Sequence, residues 1–158
     1  MDNFRIIALI FIGGFLLYFD GIIISRLSKS KNNLKSVSGF VTTQAKEHFD
    51  SGKDSYNAVV LGLNDEKMQF AIQDNKTRAY NYLINNSVRQ ATIYYDQNGY
   101  NSNGNLTFQV YSVIADGKEI LSIGEAKHLY KIGLLIFIPI QILLGFLIYF
   151  KNFKRKDA

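Results

Sequence analysis

GGFLLYFDGIII (Gly13–Ile24) is an apolar run with one carboxylate in it, Asp20. From Phe4 to Ile24 the only charges are Arg5 and Asp20, and from Ile132 to Phe150 there are none. A helix of about 20 residues is roughly 30 Å long, the thickness of a bilayer's hydrocarbon core. The two ends therefore read as transmembrane helices, over residues 4–24 and 130–150. The first is too long for a signal-peptide core, and Tyr18-Phe19-Asp20-Gly21 lacks a small-x-small cleavage site, so an uncleaved anchor is expected.

Residues three, four and seven apart share a helix face. Gly13, Gly14, Leu17, Asp20, Gly21 and Ile24 then form one stripe, and the second span offers Gly133, Gln141 and Gly145. Small residues let membrane helices approach closely, and polar groups reinforce the contact. Aligning the midpoints of an antiparallel pair sets Gly14 level with Gln141 and Gly21 level with Leu134, beside Gly133. Asp20 then lies roughly 9 Å from the midplane. That is about 6 Å inside the hydrocarbon boundary, near which Lys131 starts, and the lysine stem is long enough to reach the carboxylate. A seam of Gly13, Gly14, Leu17, Asp20 and Gly21 against Lys131, Gly133, Gln141 and Gly145 is expected, with an Asp20–Lys131 contact. Intramembrane acids also raise a partner protein or an ion path, but neither span holds a second acid to continue a relay.

The chain of 158 residues has no cysteine, which excludes disulfides and thiolate metal sites. The net charge of +5 is shared between a tail, 151–158, and a middle segment with 13 basic and 10 acidic residues. That mixed surface does not indicate nucleic acid. Residues 25–35 form a basic linker. Arg26, Lys29, Lys31 and Lys35, with Lys151, Lys154, Arg155 and Lys156 in the tail, are candidates for lipid-headgroup contact. The tail argues for cytoplasmic termini and the linker for the reverse. Charge in a long translocated loop counts for less, so termini inside and the middle segment outside is favoured.

Residues 36–126 change to short β-type runs: SVSGFVTTQA, YNAVVLGLN, KMQFAIQ, RQATIYYD, LTFQVYSVI and, after an Asp116-Gly117 turn, KEILSI. Thr77–Asn86 is the helix candidate within them, and QNGYNSNGN reads as a glycine- and asparagine-rich hairpin loop. The fold class is membrane α plus β, two spans flanking a small barrel- or sandwich-like domain of about six strands. Pro139 removes one backbone hydrogen bond from the second span.

This order of span, β-domain and span resembles a family of small bacterial membrane proteins of unknown function. The marks are Val37-x-Gly39-x-Val41, Ala91-Thr-Ile-Tyr-Tyr-Asp96 and Asp116-Gly117. The chain departs from the pattern at Gln97, where a proline is common, and near Ala91, where a glycine is. The resemblance implies an architecture and no reaction.

Catalytic chemistry is sparse. His48 lies among Asp50, Ser51, Asp54 and Ser55 in what reads as a connecting loop, without a group to orient the imidazole. His128 reads as interfacial. No second histidine sits one turn from His48, so no zinc-helix motif exists, and no cofactor is expected. Tyr80, Tyr82, Tyr94, Tyr95, Tyr100 and Tyr111 could pack in the core or line a binding face. The expectation is a non-enzymatic membrane-anchored accessory protein, partnered by the bilayer and by another protein or a second copy. The alternative is a ligand-binding module built on those tyrosines.

Overall fold

A computed structural model of the chain describes residues 3–50, 55–64, 68–97, 102–103 and 105–153. They fall into two units, Lys29–Lys127 and the helical segments from the two ends. The class is α+β. Among the described residues one helical stretch, within Ile123–Phe146, is long and apolar enough to cross a membrane. The helices from the ends are α1, Asn3–Leu27, and α4, His128–Phe153, with Pro139 inside the latter.

In the middle unit, strand β1 (Lys35–Asp50) is followed by β2 (Ser55–Leu63) and β3 (Gln69–Gln73). Helix α2 (Thr77–Asn85) leads to β4 (Gln90–Tyr95). Short β5 (Ser102–Asn103) and β6 (Leu106–Thr107) precede β7 (Val110–Ala115), β8 (Lys118–Leu121) and one turn of helix, α3 (Ile123–Ala126). Among the described residues eight strands run in the order β5-β6-β3-β2-β1-β4-β7-β8, against the six expected. All pairings are antiparallel except β3 with β6. Only Phe108 and Gln109 separate β6, beside β3, from β7, beside β4. The sheet must therefore curl until its two sides meet.

What lets it curl is a change of neighbour halfway along β1. Lys35–Phe40 pair with β4, whereas Val41–Asp50 pair with β2 on the other edge, with a register shift between Val41 and Thr43. A bulge of this kind bends a strand and raises its twist. Asn64 secures the switch. Its backbone is left-handed, φ 49°, a conformation asparagine tolerates. Its N–H donates to Phe40 O (2.9 Å). Its side-chain Oδ1 accepts from Phe40 N (2.7 Å), and its Nδ2 donates to Ser38 O (3.1 Å). The amide lies flat over Gly39, where a Cβ would fall 1.9–2.2 Å from its atoms. Glycine is required there by close approach.

The Asp116-Gly117 turn has both residues at positive φ, 47° and 81°, as a two-residue hairpin demands. The Asp116 carboxylate also accepts from the N–H groups of Arg89 (3.1 Å) and Gln90 (2.9 Å), pinning the start of β4. Inside the curl lie Leu61, Leu63, Phe70, Ile72, Leu83, Ile93, Val113 and Leu121. β2 is buried on both faces from Ala58 to Leu63, which is why AVVLGL reads as a continuous apolar run. Its other face meets Ala71 and Phe108, flanked by Phe49 and Tyr56.

Gly39→Ala must displace the Asn64 amide and break its two side-chain bonds. A loss of about 1–3 kcal/mol is expected, measured as a lower denaturant midpoint. Adding Asn64→Gly should cost less than the sum of the two single changes.

Candidate functional site

The seam expected between the end helices can be built from α1 and α4. Among the described side chains of α1, Gly13, Leu16, Asp20, Ile22, Ile23, Arg26 and Leu27 are withdrawn from solvent, and Gly13, Leu16, Asp20 and Ile23 among them lie three and four apart. On α4 the withdrawn ones are Tyr130, Gly133, Leu134, Phe137, Gln141 and Leu144. Three contacts set an antiparallel register within one residue of midpoint alignment. The Phe19 and Phe137 rings stack at 6.5 Å, a Cβ on Gly133 would meet Ile23 Cδ1 at 3.7 Å, and the Arg26 guanidinium lies 5.0 Å over the Tyr130 ring.

The partner of Asp20 is Gln141. Its Nε2 donates to Asp20 Oδ2 at 2.5 Å. In that register Gln141 lies more than a turn away along the axis. Side chains lean toward the N-terminus of their own helix, so in an antiparallel pair Asp20 and Gln141 lean toward each other. Lys131 is exposed and makes no ion pair with Asp20, which corrects that expectation. The seam is also turned by about one residue from the expected stripe. Leu17 is 70% exposed, whereas Leu16 and Ile23 face inward. Gly13, Gly14, Gly21 and Gly145 do not admit a close helix, since a Cβ on any of them meets nothing within 4 Å. Instead Gly13 and Gly145, with Leu16, Gln141 and Leu144, border a groove of about 270 Å³. Asp20 Oδ1 is enclosed without a hydrogen-bond partner among the described residues.

The basic linker is held by protein groups. Lys29 pairs with Asp96 at 2.7 Å. Lys31 lies 3.6 Å from Glu119 and 5.2 Å over the Tyr94 ring. Lys127 Nζ donates to Lys29 O, and Arg26 donates to the Tyr130 hydroxyl at 2.5 Å. Lys35 opens β1 opposite Tyr95, exposed. Lys151 lies in the last turn of α4, while Lys154, Arg155 and Lys156 lie outside the described residues.

His48 lies on β1 and not in a loop. Its Nδ1 is 3.1 Å from Asn57 Oδ1, and Asn57 donates through its backbone N (3.2 Å) and Nδ2 (3.4 Å) to Asp74 Oδ2. The histidine is oriented by an amide, with no serine hydroxyl bonded to it among the described residues; Ser51 and Asp54 lie outside them. His128 opens α4 on its exposed side. Among the described residues no cluster of histidines and carboxylates could hold a metal. The tyrosines do not form one binding face. Tyr80 and Tyr111 are buried, Tyr82, Tyr94 and Tyr95 are half-buried, and Tyr100 lies outside the described residues.

Two titratable groups escaped the sequence reading. The Lys76 amine is enclosed and donates to Phe108 O (3.3 Å) and Val110 O (3.0 Å), the carbonyls around the break between β6 and β7. Burial lowers its pKa to about 8. Glu125 sits below its ordinary value, first through the Ser122 N–H and then with help from the Ser122 hydroxyl and Arg78. Ser122 and Glu125 form a capping box at α3, a signal legible in SIGE. Lys76 had no such signal, because its acceptors are main-chain atoms over 30 residues away.

No protein-family model, curated protein or solved structure matches the chain.

A double-mutant cycle of Asp20→Leu with Gln141→Leu should show coupling of about 1 kcal/mol for the hairpin in detergent. Asp20→Leu with Lys131→Met should be additive. Lys76 adds a pH signature. Its folded pKa lies below the ordinary 10.5, so between about 8 and 10.5 the unfolded chain binds the extra proton. Stability then rises with pH across that window. Urea titrations of wild type against Lys76→Met should lose this rise in the variant.

Proposed function

We propose that the chain is a two-span membrane protein serving as a non-enzymatic accessory subunit that engages another membrane or envelope protein. In this reading α1 and α4 cross the bilayer over residues 4–24 and 130–150, with both termini in the cytoplasm. The middle unit folds as a small barrel. Strands β1, β2, β3, β6 with β7, and β4 follow the order of the five-stranded Greek-key barrel called the OB-fold, with α2 between the third and fourth strands. A fold of this kind fixes no chemistry by itself.

The observation that carries the reading is the Asp20–Gln141 bond between two long apolar helices. Polar groups inside hydrocarbon must find each other. A matched pair gives the helices a reason to remain a hairpin while most of their apolar side chains stay exposed to lipid or to other helices. A non-enzymatic role is supported by the use of the middle unit's polar side chains. Asn64, Asp116, Lys76 and Gln44 are bonded to main-chain groups, and Lys29, Asp96 and Arg78 are paired with opposite charges.

Crosslinking and co-purification in mild detergent test the role. A stoichiometric protein partner is expected, and a monomer retaining a small molecule would favour the ligand-binding alternative. A reporter enzyme active only outside the cytoplasm, inserted between Gln97 and Ser102, should be active. Its silence would reverse the orientation.

A further inference from the structure

We propose that the chain pairs with a second copy of itself along the free edge of β1, antiparallel and centred on His48, with Lys46 of each copy against Asp50 of the other. This goes beyond the accessory reading above and does not depend on it. From Val41 onward β1 pairs with β2 alone, and no strand among the described residues covers its other edge. Near the bend, other groups fill that edge. Val41 N donates to Arg89 O at 2.9 Å. The Gln44 side chain reaches across to donate to Leu83 O and Asn86 O and to accept from Val88 N. Residues 45–50 lie beyond these contacts.

Asn57, which stands opposite His48, shows which main-chain groups face this edge. Asn57 O accepts from Asp74 N (2.9 Å) and Asn57 N donates to Asp74 Oδ2 (3.2 Å), so both groups point away from β1. Bonded and unbonded pairs alternate along an antiparallel ladder. The N–H and C=O groups of Lys46, His48 and Asp50 therefore point to the open edge. A second strand bonds there only where its own outward residues stand opposite these, which leaves few registers. Centred on Lys46, the pairing sets lysine against lysine. Centred on Glu47, it sets glutamate against glutamate, and like charges directly opposite destabilise a sheet. Centred on His48, it sets Lys46 against Asp50 reciprocally, His48 against His48 and Glu47 against Phe49. KEHFD is thus complementary to itself about its midpoint, as a two-fold interface requires. Lys46, His48 and Asp50 are exposed, and Lys46 makes no ion pair among the described residues. A lysine on an edge normally blocks self-pairing. Here it leaves open the register in which the copy brings a carboxylate.

The chain has no cysteine, so single introduced cysteines report the register without background. Residues opposite each other in a bonded pair lie about 5.5 Å apart at Cα, within disulfide reach. In the full chain in mild detergent, oxidised His48→Cys should form a covalent dimer. Lys46→Cys and Asp50→Cys each lie four residues, about 13 Å, from the same position in the copy and should not. Mixed together, those two variants should crosslink to each other. In the cysteine-free chain, Lys46→Asp or Asp50→Lys should weaken the dimer about tenfold, since two exposed ion pairs are lost. Combining the two substitutions should restore it. The pairing is overturned by a monomer, by crosslinks at 46 or 50 in place of 48, by a charge reversal without effect, or by a charge swap that fails to rescue. A co-purifying protein on a monomeric chain would overturn it while leaving the accessory role intact. A dimer with this crosslinking pattern and no other protein would do the reverse.

Discussion

One strand has to serve two neighbours. β1 gives its first six residues to β4 and the remainder to β2, and every later element depends on that handover. If β1 stayed with one partner, β4 and β2 could not flank it, and the sheet could not curl until β6 met β3. The handover needs a bend, and a bend leaves main-chain groups without ladder partners. Asn64 supplies them. Its side-chain amide bonds Ser38 O and Phe40 N as a neighbouring strand would, in the space that the missing Gly39 side chain leaves. At the far side of the curl Lys76 performs a similar task, covering the two carbonyls that the β6–β7 break leaves open. Both are side chains standing in for absent strands, which agrees with the rule that buried main-chain polar groups find partners.

The helical unit also relies on polar contacts for its register. Asp20 with Gln141 and Arg26 with Tyr130 fix α1 against α4 at two levels. The glycines contribute a groove and not a close approach, because the face that carries Asp20 inward turns Gly14 and Gly21 away.

Much of this is legible in the sequence. The helix expected at Thr77–Asn86 ends one residue earlier, at Asn85, since its periodicity is local. The Asp116-Gly117 turn was readable because its conformation demands those residue types. The alternation around Gly39 was visible, but its purpose was not, as it lies in Asn64, on the far side of a hairpin. From sequence β1 reads too short because KEHFD is polar. An edge strand with solvent beside it carries no apolar alternation to find. The sequence places Gln141 in the seam, yet it matches Asp20 to Lys131 by depth alone. Depth ignores the lean of side chains along the helix, and that lean brings an amide more than a turn away into reach. From sequence the linker lysines read as lipid contacts because Asp96 and Glu119, which pair with Lys29 and Lys31, are more than 60 residues distant.

The dependence of the curled sheet on the β1 handover is tested most directly by residue-resolved amide exchange in Asn64→Ala. Phe40 should lose protection outright, and Ser36–Phe40 with β4 and Val41–Thr43 with β2 should loosen together, since one amide holds both halves. Unchanged protection at Phe40, or loosening confined to the end of β2, would contradict it.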